Sequence, residues 1–291
     1  MVSAWKGTFP RSARPSSRAA FLFSYDGDAL PRSTFEQVLS DTEELLAEHD
    51  DGPFFCGAQP SAADVAWAPF LERYAAQLPC LHDSLTPRAT DGSYPRLSAW
   101  FDAMEALPAY ACRVEGDAAS WRKVLSMAGY GNAGTPTRVL GRMDEAAAIE
   151  AYGGAQRVSQ PIWAEFAQGR AYVAPTAAAE AAATIVRNRD DILADAAKRN
   201  ALADGVDADA ALRAVACLLA STAAAAAAEE VEEVDDEEAM RLGCSSTAGV
   251  SQMASFLDAR MCVPRDMGAP CAAELKSLAA KLSENAPPAA E

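Results

Sequence analysis

Two histidines, seven scattered cysteines and an 8% share of aromatic residues leave this 291-residue chain poor in the side chains that most often carry metal or redox chemistry. His49 and His82 stand apart with no ligand partner at useful spacing, so the sequence offers no zinc site. No two cysteines are spaced as CxxC, which excludes a zinc ribbon and a redox dithiol and leaves reduced thiols as the simplest reading. Basic residues are scarce too: 25 Lys and Arg face 41 Asp and Glu, for a net charge of −16. No local basic patch breaks that surface, so a nucleic-acid role is excluded. No run of about 18 strongly apolar residues occurs, hence no membrane insertion is expected. No adequate apolar core follows the first basic residue, which argues against a secretory signal peptide. Neither a series of strands nor an internal repeat is legible.

What is present points to helices. Half the residues are apolar and alanine dominates that half, and alanine favours helix over strand. The length allows one large domain or two ordinary ones. Phe35, Val38, Leu39, Leu45 and Leu46 share one face of a helix expected over Ser33–Glu48. Ser61, followed three residues later by Asp64, has the spacing of a capping box and opens a helix expected to reach about Gln77. Val65, Phe70, Leu71, Tyr74 and Leu78 are its core candidates, and Pro69 should bend it. After Pro95, the residues Leu97, Trp100, Phe101, Met104 and Leu107 form a helical stripe that Pro108 should end.

The turn-rich stretch Gly129–Pro136 sets an expected domain boundary at 130. Beyond it, helices are expected near 138–151 and 161–169, over Thr176–Arg199 as one long element, and over Ala208–Ala228, Thr247–Arg260 and Ala269–Leu282. The run Glu229–Glu238 carries eight acidic residues without the glycine and ligand spacing of a calcium loop, so it reads as a solvated helix end or linker. The resulting plan is all-α: an N-terminal arm over 1–30, a helical domain over 31–130 and a helical extension over 131–291.

The segment GPFFCGAQPSAADVAWAPFLERY (Gly52 to Tyr74) and the later YPRLSAWFDAMEALPAY (Tyr94 to Tyr110) resemble the helical C-terminal domain of glutathione S-transferases. The resemblance covers about residues 12–130. A second, shorter likeness, Cys262 to Pro270, is to a C-terminal extension of plastid-type and algal members. In that family a thioredoxin-like N-terminal domain binds glutathione and supplies the activating Ser, Tyr or Cys. Activation matters because the thiolate is the nucleophile. The helical domain supplies much of the electrophile pocket and part of the dimer contacts, so a homodimer is implied.

Ahead of the first helix stand only about thirty residues, with no βαβ pattern and no activating residue in context. Three accounts fit: a gene product whose start lies further upstream, a helical-only descendant used as a protein-interaction or scaffolding module, or a glutathione-binding domain supplied by another chain. Glutathione is then a co-substrate only if an N-terminal domain exists, and the chain itself carries no cofactor and no catalytic residue. Tyr25, Trp67 and Arg73 are the pocket-lining candidates the resemblance implies, while Ser61 and Asp64 have a structural, capping role. Cys56 in FFCG reads as core rather than nucleophile. The first 25 residues, with Lys6, Arg11, Arg14 and Arg18 and no acid before Asp26, fit either a transit peptide or the start of the folded domain. An intracellular location, cytoplasm or plastid, follows. MCVPRDMGAP (Met261 to Pro270) reads as a tight turn or as a site.

Overall fold

The computed structural model describes residues 29–89, 91–116, 137–153, 160–228 and 247–284, with Ala4, Gly7, Thr8, Leu22, Ser120 and Arg122 beside them. Of the N-terminal arm only Ala4, Gly7, Thr8, Leu22, Ala29 and Leu30 are described; Tyr25 lies outside the described residues, as do the stretch 129–136, the acidic run 229–238 and the last seven positions. Eleven helices and no strand occur among the described residues. Two compact units divide them, Met1–Gln156 and Arg157–Glu291. The division falls later than the boundary expected at 130, because the helix Thr137–Gly153 packs with the first unit.

The first unit holds α1 (Arg32–Ala47), α2 (Ala62–Leu81), α3 (Pro95–Glu105), α4 (Pro108–Arg113) and α5 (Thr137–Gly153). α1 packs on α3, α3 on α4, and α5 on α2. Phe35, Val38, Leu39 and Leu46 are buried on α1, as their spacing predicts. They join Trp67, Leu71, Tyr74 and Leu78 of α2 and Leu97, Trp100, Phe101 and Met104 of α3 in one core. Val65, expected in that core, is 71% exposed instead. It follows Asp64, whose side chain points inward, and the step of about 100° per residue carries Val65 to solvent. Two prolines, Pro69 and Pro79, lie inside α2, which continues through both. Pro108 does not merely stop α3; it occupies the first turn of α4, where its missing N–H costs nothing.

The N-terminus of α3 has no side-chain cap of its own. Glu43 of α1 takes that role, its two carboxylate oxygens accepting from the Arg96 and Leu97 N–H groups at 2.8 and 2.9 Å. Donors at a helix start have no intrahelical partner, and an acid there also meets the positive end of the dipole.

The second unit holds α6 (Gln160–Ala167), α7 (Ala177–Arg187), α8 (Arg189–Lys198), α9 (Ala208–Ala228), α10 (Thr247–Arg260) and α11 (Ala269–Glu284). α7, α9, α10 and α11 pack together as a bundle. The single long helix expected over Thr176–Arg199 is two helices meeting at Asn188. The Asn188 side chain donates to the Thr184 carbonyl at 2.8 Å, the kind of side-chain competition that unsettles a helix ladder. Val186, just before the break, is 61% exposed. Between α10 and α11, MCVPRDMGAP forms a closed turn: Asp266 accepts from the Cys262 N–H at 2.9 Å and returns its own N–H to the Cys262 carbonyl at 2.8 Å.

Candidate functional site

The geometry around α2 starts with its entry. Phe54 and Gly57 exchange backbone hydrogen bonds of 3.2 and 3.1 Å, closing a tight turn that sends both Phe54 and Phe55 into the core. Gly57 sits at φ +104°, where a side chain is strained, and a Cβ there would meet the Asp51 carboxylate at 2.8 Å. Cys56, at the tip of this turn, is exposed and not core: the two inward phenylalanines leave it the outer side.

Ser61 then caps α2, its Oγ accepting from the Ala63 N–H at 3.2 Å. Asp64 closes the box. Its Oδ2 accepts from the Ser61 N–H and the Ser61 hydroxyl, each at 2.7 Å. Its Oδ1 accepts from the Phe55 N–H at 3.1 Å and from the Trp100 indole N–H at 2.8 Å. This carboxylate is 0% exposed. Four donors from three segments thus replace the water it has lost, which is the condition for burying a charge.

Eight residues on, about two turns along the same helix, a second buried acid gathers a larger polar cluster. Glu72 accepts from the Tyr110 hydroxyl, from Arg88 Nη2 at 3.2 Å and from the Gly116 N–H at 2.9 Å. Arg88 also pairs with Glu105, and its guanidinium lies 3.9 Å from the centre of the Phe101 ring. Burial opposes the Arg88 charge, and Glu72 and Glu105 more than offset it, so it stays cationic. Glu115 adds a third carboxylate to this single guanidinium. Burial, then the charges of Glu105 and Glu72, push its pKa up to about 7, with Arg88 opposing.

The sign of that shift is the reverse of a salt-bridged acid. Between the ordinary value of 4.5 and about 7 the folded chain holds a proton that the unfolded chain has released. Stability therefore falls as pH rises through that window and levels off above it. Urea melts of the native chain and of Glu115→Gln between pH 4.5 and 8 check this: the slope of stability against pH should differ between them within the window. Identical slopes would mean that Glu115 titrates as an ordinary surface acid.

Trp67 is 0% exposed, its ring centre 4.5 Å from that of Phe55. Arg73 is buried as well. The two stand six residues apart on α2, about 240° around its axis, and so face different sides. Tyr25 lies outside the described residues. His49 is exposed past the end of α1. The His82 Nε2 lies 3.1 Å from the Leu30 carbonyl and its ring packs beside Phe35. Burial holds the His82 pKa below its usual value; the Leu30 bond opposes this, and the charges of Arg32, Arg138 and Arg142 add to it. Among the described residues no group of three or more His, Cys, Asp or Glu is placed to hold a metal ion, and no helix is long and apolar enough to cross a membrane.

Glu72, Arg88, Glu105, Tyr110 and Glu115 are the polar centre that reading the sequence passed over. The signal was the position of Glu72: residues 64, 68, 71 and 72 share the inward face of α2, and an acid on such a face requires partners.

Residues 30–103 match the family described as "Glutathione S-transferase, C-terminal domain". Three relatives from Arabidopsis thaliana carry the same likeness. Glutathione S-transferase L3 is 36% identical over 88 residues, 30% of this chain and 34% of that protein. Glutathione S-transferase L1 is 35% identical over 89 residues, with the same shares of 30% and 34%. Glutathione S-transferase L2, chloroplastic, is 40% identical over 68 residues, 23% of this chain and 22% of that protein. The chain thus spans about a third of the length of the first two curated relatives it matches and less of the third. No solved structure matches.

Proposed function

We propose, for a chain whose residues 30–103 match the glutathione S-transferase C-terminal domain family, that this stretch does the part such domains do in the family: it forms the electrophile side of a substrate pocket and the contacts to a glutathione-binding domain and to a second subunit. The observation that carries this reading is the coincidence of the matched stretch with α1, α2 and α3, three helices that share one core, with α2 and α3 also joined through the buried Asp64 carboxylate. Trp67 and Arg73 serve the pocket through α2: the first stiffens its entry from within the core, and the second braces its far side. Tyr25 would stand at the pocket's rim. Glutathione is the co-substrate, held by a thioredoxin-like domain, and the site of action is the cytoplasm or a plastid.

Taken by itself, the 291-residue chain does not conjugate glutathione. The test has two arms. Purified chain is mixed with glutathione and 1-chloro-2,4-dinitrobenzene, and the conjugate is followed by absorbance; the rate should equal the uncatalysed background. The same electrophile, without glutathione, should quench tryptophan fluorescence saturably. Conjugation above background would overturn the claim that the chain alone is inactive. Absence of saturable quenching would overturn the pocket and leave a protein-interaction module as the better description.

A further inference from the structure

The segment MCVPRDMGAP has no part in the reading above, and it borders a cleft of about 410 Å³ that lies wholly within the second unit. That size falls in the range of small-molecule sites, about 300–1,000 Å³. Ile185 of α7, Ile192 of α8 and Leu257 of α10 give the cleft an apolar floor. Its polar groups are arranged in a specific way. Arg260 donates through Nε to Asp195 at 2.8 Å, and the other oxygen of Asp195 is held by Arg199 at 2.9 Å. Arg265 donates through Nε and Nη2 to Asp266 at 2.7 and 2.8 Å. Asp266 is in turn fixed by the Cys262 N–H, so this wall is braced by its own turn.

A guanidinium has about five N–H donors in a rigid fork. Each arginine is thus oriented along its Nε edge by an aspartate and keeps outer donors for a ligand: Arg265 Nη1, and both Nη groups of Arg260, make no other hydrogen bond among the described residues. Arg265 is matched by Asp266, and Asp195 is shared between Arg260 and Arg199. One further charge borders the cleft, Asp191, which stands one helical turn before Asp195 and has no ion pair among the described residues. A simple anion would be drawn to the guanidinium edges but repelled by Asp191. A simple cation would leave the guanidinium edges unused. A molecule with both charges, and an apolar body between the rim and the floor, satisfies all of them.

From this juxtaposition we infer that the cleft between α7, α8 and the Arg260–Asp266 segment binds a small zwitterion with an apolar side chain, of the class of a free α-amino acid or a short peptide. Its carboxylate meets the outer edges of Arg260 and Arg265, its ammonium meets Asp191, and its side chain covers Ile185, Ile192 and Leu257. The inference does not rest on the transferase reading, since none of these residues lies within the matched stretch 30–103.

Equilibrium dialysis of the full chain at pH 7 against labelled L-phenylalanine and L-leucine tests it, with 3-phenylpropanoate and phenethylamine as analogues that each lack one charge. At least one of the two amino acids should bind saturably, and for phenylalanine each analogue should bind at least tenfold more weakly. Asp191→Asn should weaken amino-acid binding at least tenfold while its circular dichroism stays native, and Arg265→Gln gives the matching loss at the carboxylate end. Failure of both amino acids to bind the native chain would overturn the inference. So would analogues that bind as well as phenylalanine, or a folded Asp191→Asn variant that binds unchanged.

Discussion

Replacing Asp64 by alanine should remove about 3–5 kcal/mol of stability, since each buried donor left without a partner costs about 1–3 kcal/mol. Two such donors are fully inside, the Phe55 N–H and the Trp100 indole N–H, and the Ser61 N–H at the helix cap is the third. Loss of the box itself contributes about 1 kcal/mol of that total. Against a typical domain stability of about 5–15 kcal/mol, the change is large enough to leave the first unit near its unfolding threshold. Asp64→Asn should fall between, because an amide oxygen still serves Phe55 and Trp100 while its NH2 faces the Ser61 N–H. Urea unfolding of the three proteins measures the series. A loss below about 1 kcal/mol for the alanine variant would mean that water or another acceptor takes over the donors, and the carboxylate would not be the hub described above.

Replacing Trp67 by alanine should cost about 3–5 kcal/mol as well, by a different route: removing a large buried side chain forfeits its transfer free energy and leaves a cavity. The ring is wholly enclosed and stacked near Phe55, which would lose its main aromatic neighbour on α2. Thermal melts of Trp67→Ala and Trp67→Phe distinguish the possibilities. The phenylalanine variant should recover part of the loss. A melting temperature indistinguishable from native for Trp67→Ala would place the indole on an accessible wall that collapses or hydrates without penalty, and its role would then be in ligand contact rather than in holding α2.

The helices were legible in the sequence wherever one face had to be apolar. Phe35, Val38 and Leu39 define α1, and Leu97, Trp100, Phe101 and Met104 define α3, because packing selects the same period that the sequence displays. Ser61 and Asp64 were readable for another reason: a cap is a local device, and its spacing is its geometry. What escaped were features decided by segments distant in the chain. Val65 is apolar and adjacent to core positions, yet the inward pull of Asp64 toward Trp100, 36 residues away, fixes the rotation of the helix and turns Val65 out. Cys56 was misplaced because the Phe54–Gly57 turn, not hydrophobicity, sets which residues point inward. Glu72 was hidden since its partners Arg88, Tyr110 and Gly116 come from three different places along the chain. Asn188 shows the same limit in miniature: alanine-rich flanks favour one helix, and a single amide side chain divides it.

Glu43 carries one more consequence. α2 brings its own start signal, Ser61 and Asp64, whereas α3 borrows its N-terminal acceptor from α1. The helices of this domain are therefore not interchangeable modules. α2 takes its N-terminal acceptors from its own cap and first turn. α3 does not, for it begins properly only after α1 has been laid alongside it. During synthesis α1 emerges first and waits for a partner that arrives some fifty residues later. Recombination, splicing or proteolysis that separates α1 from the rest damages a helix it never touches in sequence.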